Sequence, residues 1–119
     1  MGIYKSYYVI AGYDLTNYKT DWYDEWKWTE HGESFLCNAR LGNIQLFDDP
    51  SNDSFLYFGV VLVKGDQYTF NSAQFDVVDI ANAWSDVTDD LLELINCGVI
   101  HVDRNDLPEY KVIVFEQCS

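Results

Sequence analysis

Read as a string of apolar and polar positions, the chain divides into strand-like runs and one helical stretch. Tyr4 to Leu15, Asn43 to Phe47, Phe55 to Lys64 and Lys111 to Glu116 are rich in Tyr, Val, Ile and Phe, which suit a pleated, half-buried surface. Glu33 to Ala39 reads as a further short strand, joined to Asn43–Phe47 through Arg40-Leu41-Gly42 with Gly42 at the left-handed position of a hairpin. Phe55 to Lys64 is apolar on both faces and predicts the most buried strand. Gly12 predicts a bulge or a close backbone approach inside the first run. Asp14-Leu15-Thr16-Asn17 ends that run with turn-forming side chains, and Asp48 to Asp53 is a second strong turn.

The period changes after residue 75. Val77, Ile80, Trp84, Val87, Leu91 and Leu94 recur in alternating steps of three and four, with Val78, Ala81 and Ile95 widening the stripe. Only an α-helix places those positions on one face. Gly98 is its stop signal, and Ser85 or Asp86 is a place where the run could break in two. Thr20 to Trp28 fits either a short helix capped by Thr20 or Asp21, with Trp22 and Trp26 on one face, or an irregular aromatic loop. Trp28, beside a strand, reads as core. Strands, then a helix, then one strand argue for a single α+β domain over residues 1–119. Its sheet is mostly antiparallel, of about five strands, with one long helix near 76–97 packed on one face.

Charge changes this picture most. The net charge is −13, yet 4 Trp, 9 Tyr and 7 Phe argue against disorder, so the acids form the skin of a folded domain. They are unevenly placed. From Gly65 to Asp103 there is no Lys or Arg, while Asp66, Asp76, Asp79, Asp86, Asp89, Asp90, Glu93 and Asp103 all fall within it. Such a field repels nucleic acid and anionic membranes and attracts basic protein surfaces. The acids of the helix, Asp76 to Glu93, span roughly 26 Å at 1.5 Å per residue. That is one charge per roughly 4 Å, close to the 3.4 Å phosphate spacing of one DNA strand.

A second candidate surface is Tyr18 to Trp28, where five aromatics alternate with acids in the manner of interface anchors. Trp22, Tyr23 and Trp26 are its candidate partner-binding residues, and at least one of them should stay exposed. Metal binding finds no support: Asp48, Asp49 and Asp53 lack the calcium-loop pattern, and His31 and His101 lack ligand spacing to a cysteine. No phosphate loop, nucleophile elbow or His/Cys frame appears, so no enzyme and no cofactor is expected. Cys37, Cys97 and Cys118 are odd in number and sparse, which favours reduced thiols and a cytosolic setting. The longest apolar run, Phe55 to Val63, is too short to span a membrane.

Tyr7-Tyr8-Val9-Ile10-Ala11-Gly12-Tyr13-Asp14-Leu15-Thr16, Glu25-Trp26-Lys27-Trp28-Thr29-Glu30, Ile44-Gln45-Leu46-Phe47-Asp48-Asp49-Pro50 and Leu56-Tyr57-Phe58-Gly59 resemble small uncharacterised acidic proteins of tailed bacteriophages infecting Gram-positive bacteria. The resemblance implies a phage product in the host cytosol, of a kind that often inhibits a host or defence protein, sometimes as a DNA mimic. The expected partner is a basic, nucleic-acid-binding protein surface, with the chain itself a monomer or homodimer. An immunity protein against a basic toxin and a phage structural or assembly component are the alternative roles.

Overall fold

The computed structural model describes residues 5–36, 41–48, 55–66 and 74–118. In chain order these give β1 (Lys5–Asp14), α1 (Tyr23–Trp26), α2 (Glu30–Leu36), β2 (Ile44–Asp48), β3 (Leu56–Asp66), α3 (Val77–Asn96) and β4 (Lys111–Cys118). The strands form one antiparallel sheet in the order β2-β3-β1-β4. Each helical segment therefore carries the chain between strands separated by one other strand. Two such interlocked crossovers are the split β-α-β, or ferredoxin-like, arrangement, with α1 and α2 in place of a single first helix.

Among the described residues the sheet has four strands, where about five are expected. Glu33 to Leu36, read as strand, belongs to α2, and residues 37–40 lie outside the described residues. Thr29 decides the matter locally. Its Oγ1 accepts the Gly32 amide at 3.1 Å, a cap that starts a helix where the apolar content suggests a strand. The turn over Asp48 to Asp53 lies, beyond Asp48, outside the described residues. Gly42 does take a positive φ of 79°.

β1 and β3 cross with almost no room between them. Gly12 faces Gly59, and a Cβ on Gly12 would stand 1.9 Å from the Phe58 carbonyl oxygen. Close approach is thus the role of Gly12; the register shift of β1 lies elsewhere, between Val9 and Ile10. After β1, Asp14 Oδ1 accepts the Thr16 amide at 3.0 Å and turns the chain, as its sequence suggests.

α3 runs unbroken through Ser85 and Asp86. It ends in a Schellman motif: the Val99 amide returns to the Leu94 carbonyl, the Gly98 amide to that of Ile95, and Gly98 has φ 81°. Val87, Leu91 and Leu94 are buried against Ala11, Tyr13, Leu46, Phe58 and Val60 of the sheet. Tyr13 and Thr88 hydroxyls pair across that interface at 2.8 Å. The first turns of the helix depart from the predicted stripe. Val77 is 78% exposed, and Val78 and Trp84 are exposed too, because the sheet supports only the later turns. Tyr110 Oη donates to the Ile80 carbonyl and is the hydrogen bond that ties the early part down.

The other sheet face carries no described helix, yet Ile10 there is fully buried. Tyr8, Phe47, Phe55, Tyr57 and Phe115 cover it with one another, neighbouring rings lying about 5 Å apart. Phe47 of β2 meets Phe115 of β4 at 5.2 Å, and Gln117 Nε2 donates to the Asp48 carbonyl at 2.9 Å. In a flat sheet those outer strands would lie roughly 14 Å apart, three strand spacings. The sheet is therefore strongly coiled, and two of its corners close over this face.

Gly12→Ala should destabilise the fold by about 3 kcal/mol, the upper end of overpacking costs, since the clash is with main chain that cannot step aside. Urea unfolding followed by tryptophan fluorescence measures this. A loss below about 0.5 kcal/mol would mean that the strands do not approach this closely.

Candidate functional site

At 100° per residue, Asp79, Asp86, Asp90 and Glu93 fall within an arc of about 60° on α3, and Asp89 lies about 40° further round. This flank is distinct from the face that buries Val87, Leu91 and Leu94. Asp76 precedes the first turn in extended conformation and makes no side-chain cap. Among the described residues, no Lys or Arg forms an ion pair with any of the six acids. Five of the sequence-predicted carboxylates, Asp79, Asp86, Asp89, Asp90 and Glu93, are thus assembled on one helix without a Lys or Arg partner among the described residues.

Its arrangement works against the helix. Asp76 and Asp79 suit the positive N-terminal end of the dipole, but Asp89, Asp90 and Glu93 crowd toward the negative end, where the last turn holds no basic residue. Asp86–Asp89, Asp86–Asp90, Asp89–Glu93 and Asp90–Glu93 are like-charge neighbours at helical spacing, each destabilising by about 0.2–0.5 kcal/mol. The strain registers at Asp90. Partial burial first, then the charges of Glu93, Asp86 and Asp89, hold its carboxyl above the ordinary carboxylate range.

The aromatic segment divides. Tyr23 and Trp26 are buried and belong to the core, so they leave the candidate interface. Tyr23 Oη donates to Asp48 Oδ2 at 2.9 Å, and Trp26 packs on Phe35. Their positions follow from α1, a single turn whose inner side faces the sheet. Trp22, at its start, stays 42% exposed. Trp28, read as core, is instead 75% exposed and is the most open ring of the segment. It lies just past α1, beyond the reach of the sheet, with the Lys27 ammonium 5.7 Å from its ring centre.

One contact joins the two candidate surfaces, and the spacing of histidines gave no sign of it. The Trp26 indole N–H donates to His31 Nδ1 at 3.0 Å, so the ring proton sits on Nε2 and is donated to Glu93 Oε1 at 3.0 Å. α2 is thereby moored to the acidic flank of α3, with Trp22 and Trp28 on the segment that leads into it. A signal was present in sequence only as His31 one helical turn from Phe35, two residues that meet edge-to-face beside Trp26.

Other chemistry is sparse. Cys97 is a half-buried free thiol, which burial pushes above its ordinary range. Cys37 and the side chain of Cys118 lie outside the described residues. Among the described residues no three His, Cys, Asp or Glu side chains are placed to hold a metal ion, and no helix is long and apolar enough to cross a membrane. A depression of ≈ 600 Å³ lies at the start of α3 beside Phe75, Asp76 and Asp79. No protein-family profile, curated protein or solved structure matches this chain.

Because the carboxyl of Asp90 is raised in the folded state, its ionised form is less favourable there than in the unfolded chain. The fold is weakened above that raised value and recovers as pH falls through it. Asp90→Asn should therefore raise the melting temperature at pH 7 by a few degrees, and the gain should vanish near about pH 3, where both states are protonated. Thermal melts across pH measure it; an equal gain at both pH values would contradict this origin.

His31→Ala strands the Trp26 N–H and should cost about 1–2 kcal/mol in urea unfolding. Glu93→Gln keeps an acceptor at a half-exposed position and should cost under about 0.5 kcal/mol. Equal losses would show that the exposed His31–Glu93 hydrogen bond, and not the indole bond, holds α2 in place.

Proposed function

We propose that this chain is a non-enzymatic acidic binding protein that docks on a basic protein surface. The carboxylate flank of α3, which no Lys or Arg of the described residues pairs, carries the reading. Four like-charge neighbour pairs on one helix are a cost to folding that the described fold offsets only at Glu93, through His31. Local conflicts of this kind are expected where a surface serves a partner. A cationic partner relieves them, and the same field speeds the encounter.

The partner class follows from spacing. The flank offers five anions along roughly 21 Å, on average about 5 Å apart and so within a factor of two of the spacing of one phosphate strand, which makes a groove built for nucleic acid a fitting receptor. Trp22 and Trp28 supply exposed rings on which arginine can stack, in place of the buried Tyr23 and Trp26. Together with the resemblance in the strand and turn segments, this supports a phage-encoded inhibitor of a host or defence protein, acting in the host cytosol by presenting a substitute for DNA.

The test is capture from lysate of a Gram-positive host by the tagged chain, at about 50 and about 500 mM salt. A variant with Asp79, Asp86 and Asp90 changed to Asn and Glu93 to Gln serves as the comparison. A basic, nucleic-acid-binding protein should be retained at low salt, released at high salt, displaced by duplex DNA and missed by the variant. Equal capture by the variant would remove the acidic flank from the mechanism; capture that DNA does not displace would remove mimicry while leaving the flank.

A further inference from the structure

β4 is an outer strand, and among the described residues no strand pairs with its open side. Natural sheets shield such edges with proline, bulges, short length or charge, because unpaired main-chain groups recruit other strands. β4 has little of this shielding. It runs for 8 residues, contains no proline, pairs with β1 without a register shift, and carries charge only at Lys111 and Glu116. On the helix-covered face it presents Val112 and Val114, 40% and 74% exposed, since α3 packs over β1 and β3.

We propose that a second copy of this chain occupies that edge, β4 against β4 about a two-fold axis, joining two four-stranded sheets into one. This goes beyond the proposed function and rests on a different part of the molecule. A two-fold perpendicular to the sheet pairs the strands antiparallel, and opposed residues then share a face. The axis belongs at Ile113. There Val112 opposes Val114 of the second copy, and Val114 opposes its Val112, so four exposed valines cover one another while Ile113 meets its own equivalent on the aromatic face. Moving the axis to Val114 would set Val112 against Glu116; moving it to Val112 would set Val114 against Tyr110. Neither unites the valines.

Charge selects the same edge. The chain as a whole is at −13, so copies repel at most approaches, but β4 balances Lys111 against Glu116. In the Ile113 register neither meets a like charge: Lys111 lies opposite Phe115, along whose ring its stem can run, and Glu116 lies opposite Tyr110. The acidic flank of α3 is turned the other way, toward α2, which packs on β2 at the far edge. A single strand-to-strand contact is small, below roughly 1,200 Å², so the dimer is reversible.

Sedimentation velocity on the full chain over about 5 to 500 µM tests this, at about 50 and about 500 mM salt. Wild type should pass from monomer to dimer as concentration rises. Salt should tighten the dimer by screening repulsion between two anions, the opposite of its effect on a basic partner. Val112→Lys with Val114→Lys should weaken the dimer at least tenfold with an unchanged melt, since both positions are exposed. Hydrogen exchange on wild type needs no variant: β4 amides should exchange more slowly as concentration rises. A monomer throughout, undiminished dimerisation of the lysine variant, or β4 exchange independent of concentration in a dimer would each overturn the proposal.

Discussion

Two main chains pass each other where neither has a side chain, and the fold is hung on that crossing. Gly12 and Gly59 let β1 and β3 approach until a single extra carbon would meet a carbonyl oxygen. Because β1 also holds β4, and β3 also holds β2, this one pair lies at the middle of the sheet. The helices depend on it in turn. Tyr13 and Phe58, opposed one step further along, supply much of the floor under Val87, Leu91 and Leu94. The strong coiling of the sheet lets its aromatics seal the other face, over which the described residues place no helix.

α3 shows how one helix can serve two masters. Its inner side is paid for by burial in a shared core. Its acidic flank is a cost, and that cost is concentrated in the last turns, where dipole and neighbours both oppose a negative charge. The Trp26–His31–Glu93 chain of hydrogen bonds softens this at one point only. The later turns can bear the strain because they are also the best buried.

The α+β class, the long helix with its glycine stop, and the strands β1, β2, β3 and β4 were legible because each rests on a period or a turn residue that acts locally. The strand expected over Glu33 to Ala39 was a misreading in its described part, Glu33 to Leu36, and had a physical cause. Phe35 and Leu36 look the same to a propensity argument in either state, and the choice was made by one hydroxyl, Thr29, capping from outside the segment. Exposure of Val77, Val78 and Trp84 was hidden for a different reason: an apolar stripe says which side of a helix can be buried, not how far the sheet beneath extends. For the candidate surface, clustering of carboxylates on one flank follows from spacing alone. Which aromatics remain open does not. Trp22, Tyr23, Trp26 and Trp28 differ in exposure because a single turn of helix aims them differently, and the polar partners of Tyr23 and Trp26, Asp48 and His31, lie outside the aromatic segment.

The strand order has a consequence for synthesis. β1 is flanked by β3 on one side and by β4 on the other, and β4 lies roughly a hundred residues downstream, a separation of the kind that slows closure of non-local sheets. While a ribosome is still extending the nascent polypeptide, the innermost ribbon is left bare along one border, and only the arrival of 111–118 covers it.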